Sequence, residues 1–358
     1  MKPVYIYDAI RTPRARAKDS GGLHDLRPHD LLTTLYHTLQ ERTGLDPAMV
    51  GEVVLGCVTQ YGEQAANIAK TSTLYAGWPS SIGGLTVSRF CSSGVDAISV
   101  GALKIAAGQE QAVIAGGIEM MSRVPMLGDK AAIFIDPQYA ATNGYFKSIV
   151  PVYNPVKDIT VSEDECIRAD TTVEALAQME PAFAALGAKG PDAAQLAAYP
   201  QLEAIHHIHT AGNSPAMADA AAVTLLGDEE LGRKLGIEPR ARIVAAATAS
   251  DDPLQVLSGC VASAGKLMAQ QALSADDIDL FELHEAFAAT VVKCQRDLGI
   301  SNEKLNVNGG VIALGHPMGA TGAIMAGVLL ERRDLARGIV AASGAAGAGS
   351  ALLIQRER

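Results

Sequence analysis

Cys91 is the residue whose type and position best suit nucleophilic chemistry. It lies between an extended segment, GLTVSRF at 84–90, and a helix that we expect to be opened by SSG at 92–94. The partial positive charge of a helix N-terminus favours a thiolate over a thiol, and the small residues that follow would let a ligand approach closely. The pattern therefore favours a nucleophile, and a buried structural cysteine is the alternative.

His316 is the second candidate, in the glycine-rich segment NVNGGVIALGHPMGATGA at 306–323. An imidazole titrates near neutral pH, so it can move protons or donate a hydrogen bond to a developing oxyanion. A structural hydrogen bond to the surrounding loop is the alternative. Because the segment is rich in glycine, its backbone could approach another part of the protein closely.

Two further groups of histidines could bind a metal or move protons. His284 and Glu285, in ELHEAFAA, lie just past a predicted strand, where open α/β sheets place their sites. A zinc-binding HExxH motif would need a histidine at 288, which is Ala288, so we exclude that zinc site. The HHIH segment at 206–209 has no nearby cysteine or acidic partner, and we expect no metal there.

A weak duplication explains how residues so far apart in the chain could meet. An offset of 228 residues relates Leu45 to Leu273 and CSSG at 91–94 to GATG at 319–322. Each half reads strand, helix, strand, loop, helix, strand, which predicts an α/β fold with mostly parallel sheets covered by helices. Equivalent loops of two such halves can meet near a pseudo-two-fold axis, so we expect Cys91 to lie near His316.

The pattern divides the chain into two halves and an insertion. We expect an N-terminal half at 1–117 plus 214–236, a C-terminal half at 237–358, and an insertion at 118–213. The insertion is rich in proline and short polar turns. Loop-rich insertions of this kind often build a substrate site over a rigid core, although a decorative surface segment is the alternative.

Composition excludes several classes of function. The formal net charge is −10 and aromatic residues make up 4%, which argues against a nucleic-acid-binding protein. Five cysteines without CxxC spacing argue against structural zinc and favour a reducing, cytoplasmic location. The sequence shows neither the apolar run of a signal peptide nor a stretch suited to a membrane span.

Taken together, five motifs resemble the thiolases, a family of acetyl-CoA acyltransferases. The motifs occur in the family's order and are VSRFCSSGVDAI, AGGIEMMSRVPM, HTAGNS, LHEAFAA and NVNGGVIALGHPMGATGA. The resemblance implies a five-layered αβαβα core of two duplicated halves with an inserted loop domain. It also implies coenzyme A and acyl-CoA as substrates, no tightly bound cofactor, and a homodimer or homotetramer. Thiolases with an HEAF motif include subunits of fatty-acid oxidation complexes, so a hydratase/dehydrogenase partner subunit is a further expectation.

The resemblance also implies a role for each candidate residue of the reaction. Cys91 resembles the nucleophile that carries the acyl group, and His316 resembles the residue that activates it and donates to a thioester oxygen. His284 stands where a residue holds a water in the oxyanion hole for the enolate. The backbone N–H groups of Cys91 and Ala345 would form a second oxyanion hole, for the acyl-enzyme.

Two residues in or next to the insertion resemble contacts to coenzyme A. They are Arg168, in DECIRADTT, and Ser214, in TAGNS. A surface salt bridge for Arg168 and a helix cap for Ser214 are the alternatives.

The sequence departs from the family in two places. The family has a second cysteine near its C-terminus, which exchanges a proton with the α-carbon of acetyl-CoA, and Ser343 occupies that position here. A hydroxyl is a much weaker acid than a thiol, so proton transfer at carbon should suffer. Relatives also have a longer stretch after SRVPM, which includes a helix that forms one wall of the coenzyme A pocket. Conversely, residues 189–207 of this chain are an insertion relative to the family pattern.

These observations leave three functions open. The first is an acyl-CoA C-acyltransferase that cleaves 3-oxoacyl-CoA with coenzyme A, or runs the reverse Claisen condensation, through an acyl-Cys91 intermediate. The second, suggested by Ser343, is a thioester hydrolase or acyl exchanger without carbon–carbon chemistry. The third, suggested by the shortened insertion, is a non-catalytic scaffold subunit.

Overall fold

The computed structural model describes residues 2–126, 148–168, 170–332 and 336–356. Within these residues, ten strands form one large mixed sheet that is flanked by helices. Helices and strands alternate along both halves of the chain, which confirms the predicted α/β class. The expectation of mostly parallel sheets is wrong, because most neighbouring strands of the large sheet pair antiparallel.

The N-terminal half contributes the strands at one end of this sheet, in the order β4-β3-β5-β8-β1. Strand β3 runs parallel to β4 and β5, whereas β8 runs antiparallel to β5 and β1. The elements are β1 Tyr5–Arg11, β2 Ala15–Arg16, α1 Pro28–Thr43, β3 Glu52–Gly56, α2 Ile68–Tyr75, β4 Gly83–Val87, α3 Ser93–Ala106, β5 Ala112–Met120 and, after the insertion, β8 Ala218–Gly227 and α7 Glu229–Leu235.

The C-terminal half repeats this strand order as β10-β11-β12-β9, and an isolated parallel bridge from Phe281 to Leu305 occupies the position of β4. The two halves meet where β1 pairs with β9, through Tyr5 with Arg242 and Ile6 with Ala241. The elements are β9 Ala241–Ser250, α8 Gly259–Gln270, β10 Leu280–Leu283, α9 Ala288–Leu298, α10 Val311–Leu314, α11 Met318–Glu331, β11 Arg337–Ser343 and β12 Ala348–Gln355.

Short elements make up the described part of the insertion. They are a hairpin, β6 Val152–Asn154 with β7 Ile159–Val161, and three helices, α4 Val173–Leu176, α5 Ala184–Gly187 and α6 Pro191–Ala198. A buried ion pair from Asp164 to Arg11, at 2.7 Å, fastens this region to the end of β1. The shortened stretch after SRVPM, which in relatives forms one wall of the coenzyme A pocket, lies largely outside the described residues.

Three hydrophobic cores separate five layers of structure. Helices α1 and α2 cover one face of the N-terminal half, and α8 and α9 cover one face of the C-terminal half. Helices α3 and α11 lie between the two halves and contact strands of both.

The described helices are too short or too polar to span a bilayer. Helix α11 is buried from Met318 to Leu330 but has only 14 residues. No helix of the described chain is long and apolar enough to cross a membrane.

Helix α11 begins with a glycine-rich turn. It starts at Met318, so GATG at 319–322 lies in its first turn. Glycine is a poor helix former when it is exposed. Here the first turn packs against α3 and strands of the N-terminal half, and burial outweighs that propensity.

A group of glycines lets the central helices approach each other and both halves. We call it the glycine seam, and its members are Gly56, Gly94, Gly117, Gly319 and Gly322. A Cβ atom on Gly117 would lie 2.1 Å from the carbonyl oxygen of Gly319, and one on Gly94 would lie 2.8 Å from the amide nitrogen of Ala323. Backbone therefore packs directly on backbone at the point where α3 and α11 begin.

Two substitutions on α11 test the seam. A Cβ on Gly322 would lie 2.4 Å from the amide nitrogen of Val95, so Gly322→Ala should lower the free energy of unfolding by about 1–3 kcal/mol. A Cβ on Gly327 would lie 3.8 Å from Ala9, so Gly327→Ala should be neutral or stabilise by up to about 1 kcal/mol, through helix propensity. Denaturant titration measures both, and equal stabilities would contradict the steric account.

Candidate active site

Cys91 lies in the tight turn between β4 and α3. The turn is made by Phe90, whose φ is +50°, and the backbone N–H of Arg89 donates to the hydroxyl of Ser93 at 2.8 Å. The side chain of Cys91 is buried and packs against Met121 and Met318. Met318 follows His316 by two residues, so the sequence-distant segments around 91 and 316 meet, as the duplication predicted.

The thiol of Cys91 is protonated in the resting protein. Burial, together with the negative charge of Glu119, raises the pKa of Cys91 to about 12. The expectation that the start of α3 would favour the thiolate is therefore wrong, because desolvation outweighs the helix dipole. A base must take the proton before the sulfur can act as a nucleophile.

His316 can serve as such a base because it is neutral and can switch its tautomer. Its backbone N–H donates to Ala216 at 2.7 Å, and its Nδ1 lies 2.8 Å from the hydroxyl oxygen of Thr321. Although the residue is partly accessible, the surrounding protein atoms, followed by His284 and Arg14, hold the pKa of His316 well below its usual value. A hydroxyl can donate or accept, so Thr321 accommodates a proton on either ring nitrogen.

His284 is held in a single tautomer. Its Nδ1 lies 3.1 Å from the carbonyl oxygen of Ser343, and a carbonyl only accepts, so Nδ1 carries the proton. Burial lowers the pKa of His284 to about 4, so the ring is neutral and Nε2 presents a lone pair. That Nε2 is buried without a hydrogen-bond partner among the described residues. The rings of His284 and His316 lie 4.5 Å apart.

Ser343 contributes its carbonyl to His284, but its hydroxyl is directed at the start of α8. The hydroxyl donates to the carbonyl of Leu257 at 2.8 Å and accepts from the backbone N–H of Cys260 at 2.9 Å. The side chain is fully buried. Both its donor and one acceptor position are therefore occupied by backbone groups.

Two backbone N–H groups near Cys91 are not bound to any oxygen acceptor of the described chain. Among the described residues, the amide of Ala345 has no hydrogen-bond acceptor, and the amide of Cys91 donates to its own thiol sulfur. Gly344 brings their loops together, because a Cβ there would lie 2.6 Å from the carbonyl oxygen of Arg89. Backbone amides that converge on one place can receive a developing oxyanion.

The glycine-rich loop before His316 is anchored by two residues that the sequence patterns left without a role. Glu285 accepts from the side-chain amide of Asn306 at 2.8 Å and from the backbone N–H of Ile312 at 3.0 Å. Asn306 also bonds both the N–H and the carbonyl of Leu283. Gly310 is required here, because a Cβ would lie 1.9 Å from the carboxyl carbon of Glu285.

Glu119 is a third residue that the sequence reasoning missed. It is fully buried near the end of β5 and accepts hydrogen bonds from the loop after β3 and from the start of α11. A single carboxylate within the apolar run AVIAGGIEMM was the available signal, because a buried charge requires partners.

Of the residues expected to contact coenzyme A, Arg168 lies in the insertion and Ser214 directly follows it. Arg168 is exposed, whereas Ser214 is buried and donates to the carbonyl of Thr210 at 3.0 Å. In the HHIH segment, His207 lies 3.0 Å from Asp192, and His209 packs on Phe287, which follows the HEA sequence. No group of three or more metal-ligating side chains occurs among the described residues.

Comparisons with known proteins agree with this arrangement. Residues 4–136 match the model of the thiolase N-terminal domain, and residues 237–356 match that of the thiolase C-terminal domain. The chain is 34% identical to proteins named 3-ketoacyl-CoA thiolase from Escherichia fergusonii and Salmonella typhimurium, over 99% of this chain and 100% of each relative. Those alignments span 406 positions, so the relatives have residues without a counterpart here.

A solved structure gives the same result for the fold. The acetyl-CoA acetyltransferase of Bacillus anthracis superposes with a TM-score of 0.81 at 28% identity, over 100% of this chain and 99% of that chain. Two domain models that together match most of the sequence, and relatives aligned along its whole length, lead to one conclusion. This chain belongs to the thiolase family.

Proposed function

We propose that the protein is an acyl-CoA C-acyltransferase, which cleaves 3-oxoacyl-CoA with coenzyme A or catalyses the reverse Claisen condensation. The observation that carries the proposal is a buried thiol beside two backbone amides that bind no oxygen acceptor among the described residues, with a pair of neutral imidazoles in the neighbouring loops. Family membership and the 3-ketoacyl-CoA thiolase relatives support the same substrate class.

In the first half of the reaction, the sulfur of Cys91 attacks the C3 carbonyl of the substrate while His316 takes the thiol proton. The C2–C3 bond then breaks, which leaves an acyl group on Cys91 and the enolate of acetyl-CoA. The proton that His316 took from the thiol is then delivered to C2 of the enolate, which departs as acetyl-CoA. In the second half, the thiol of coenzyme A attacks the acyl-Cys91 thioester, the proton of that thiol passes through His316 to the sulfur of Cys91, and the shortened acyl-CoA is released.

The hydrogen-bond donors divide between the two oxyanions. The amides of Cys91 and Ala345 would receive the oxygen of the acyl-Cys91 thioester, because no backbone carbonyl among the described residues accepts from them. For the enolate oxygen, His316 can donate directly from Nε2 when Thr321 donates to its Nδ1. His284 presents only a lone pair at Nε2, so it would act through a water that it holds and that donates to the enolate.

Ser343 supports a second candidate function, an acyl exchanger with weak carbon–carbon chemistry. Its hydroxyl already donates to Leu257 and accepts from Cys260, and a hydroxyl is in any case a poor proton carrier at neutral pH. Loading of Cys91 would proceed without Ser343, whereas proton transfer at C2 would be slow. We propose the acyltransferase first, because family membership and the relatives named 3-ketoacyl-CoA thiolase support carbon–carbon chemistry.

We also propose the insertion at 118–213 as the coenzyme A-binding region, with Arg168 and Ser214 as contacts. The exposure of Arg168 is compatible with a phosphate contact, whereas Ser214 would contribute only its free lone pair. No tightly bound cofactor is needed for the steps above. A homodimer or homotetramer, a hydratase/dehydrogenase partner subunit and a cytoplasmic location remain proposals, the last supported by five free cysteines.

Removing the thiol tests the central step. Cys91→Ala should lower the rate of acetoacetyl-CoA consumption with coenzyme A by more than about 10³-fold, because no other group can carry the acyl chain. Intact mass after incubation with acetyl-CoA should show one acetyl adduct on the parent protein and none on the variant. Cys294→Ala, another buried cysteine, is the matched control and should keep the adduct. An unchanged rate or adduct in Cys91→Ala would overturn the mechanism.

Restoring a thiol at 343 separates the two candidate functions. Ser343→Cys should raise the rate of acetoacetyl-CoA cleavage by about 10²-fold or more, because a thiol can exchange a proton at C2. The rate at which acetyl-CoA loads Cys91 should stay the same, and Ser343→Ala should raise neither rate. A parent protein that already cleaves as fast as Ser343→Cys would show that another group carries this proton.

A further inference from the structure

Glu119 is a buried carboxylate whose surroundings supply only donors. It accepts from the backbone N–H groups of Val58 at 3.0 Å, Thr59 at 3.1 Å and Gly319 at 2.9 Å, and from the side-chain amide of Gln64 at 3.0 Å. Burial raises the pKa of Glu119, and these hydrogen bonds oppose that rise. Because each of the four partners donates an N–H, neither carboxyl oxygen has an acceptor for a proton among them, which favours the ionised form.

The donors to Glu119 come from both halves of the molecule. Val58 and Thr59 follow β3 in the N-terminal half, and Gly319 is the second residue of α11 in the C-terminal half. The first N–H groups of a helix have no intrahelical partner, so Glu119 caps α11 from across the boundary. Its negative charge also suits the positive end of that helix. The carboxylate therefore ties the start of α11, three residues after His316, to strand β5.

The same carboxylate acts on the thiol of Cys91. Its charge is the electrostatic contribution that raises the pKa of Cys91, in addition to burial. From the other elements around the thiol, His316 is neutral, and Arg89 on the same turn is neutralised by its ion pair with Asp96. Glu119 is thus the charged residue that raises the pKa of Cys91 in addition to burial.

We propose that Glu119 is a positioning residue that sets His316 opposite Cys91 by binding the start of α11 to the N-terminal half. The inference rests on the proposed acyl transfer and adds a residue to it. Burial, and in addition the charge of Glu119, favour the protonated thiol, so the sulfur becomes a nucleophile only when a correctly placed His316 accepts the proton.

The test compares two reactions of Cys91 in Glu119→Gln. Alkylation by iodoacetamide needs only the thiolate, and its rate at pH 8 should rise about tenfold, equal to a fall of about one unit in the pKa of Cys91. Formation of acetyl-Cys91 from acetyl-CoA needs His316 in place, and its maximal rate should fall at least tenfold with little change in KM. The glutamine amide turns an NH₂ group toward N–H donors and loosens α11.

Two further variants control the result. Glu119→Asp keeps the charge but is one methylene shorter, so its alkylation profile should match the parent while its acetylation slows. Glu285→Gln also removes a buried carboxylate that binds backbone N–H, but from the far side of the His316 loop, and it should leave the alkylation of Cys91 unchanged. If Glu119→Gln does not fold, Glu119→Asp still decides: acetylation at the parental rate would overturn the proposal.

Opposite movement of the two rates in Glu119→Gln supports the proposal, because a purely structural carboxylate would lower both or neither. Alkylation that is unchanged or slower in folded Glu119→Gln would overturn it. Alkylation requires no coenzyme A, so a parent protein that takes up no acetyl group would refute the proposed function. The alkylation rates would still report on Glu119 in that case.

Discussion

The contact between the first turns of α3 and α11 is the constraint on which the rest of the structure depends. The glycine seam leaves little side-chain volume in this contact, so the turn that carries Cys91 and the turn that carries His316 approach to backbone distance. A helix pair separated by ordinary side chains lies 8–10 Å apart at its axes, which would carry the two turns away from a shared substrate. The chemistry of the site is thus a consequence of packing at the centre of five layers.

Neutrality is the second property of the site, and burial produces it. The thiol of Cys91 and the imidazoles of His284 and His316 are all uncharged at rest, because removal from water penalises their charged forms. The two histidines differ in what they bond through Nδ1: a carbonyl fixes His284 as an acceptor, and a hydroxyl leaves His316 free to change roles. The ring of His316 can therefore accept a proton while the ring of His284 keeps a constant orientation.

The sequence predicted those features that local pattern and duplication determine. The alternation of strands and helices indicated the α/β class, and the offset between the halves indicated that the segments around Cys91 and His316 would meet. The sequence could not predict that the thiol of Cys91 is protonated. A helix terminus lowers the pKa of a thiol and desolvation raises it, and only the depth of burial decides between them. Nor could it predict the partners of Glu119, which lie 55 to 200 positions away in the chain.

The strand order has a consequence for synthesis of the chain. Strand β8 fits between β5 and β1, so the first half-sheet cannot close until the ribosome has passed residue 227. Helix α11 covers α3, and the loop that precedes it carries the imidazole of His316. Both emerge roughly a hundred residues later. A nascent chain therefore carries its thiol for most of translation without the base that would activate it, and activity begins only once the last layers dock.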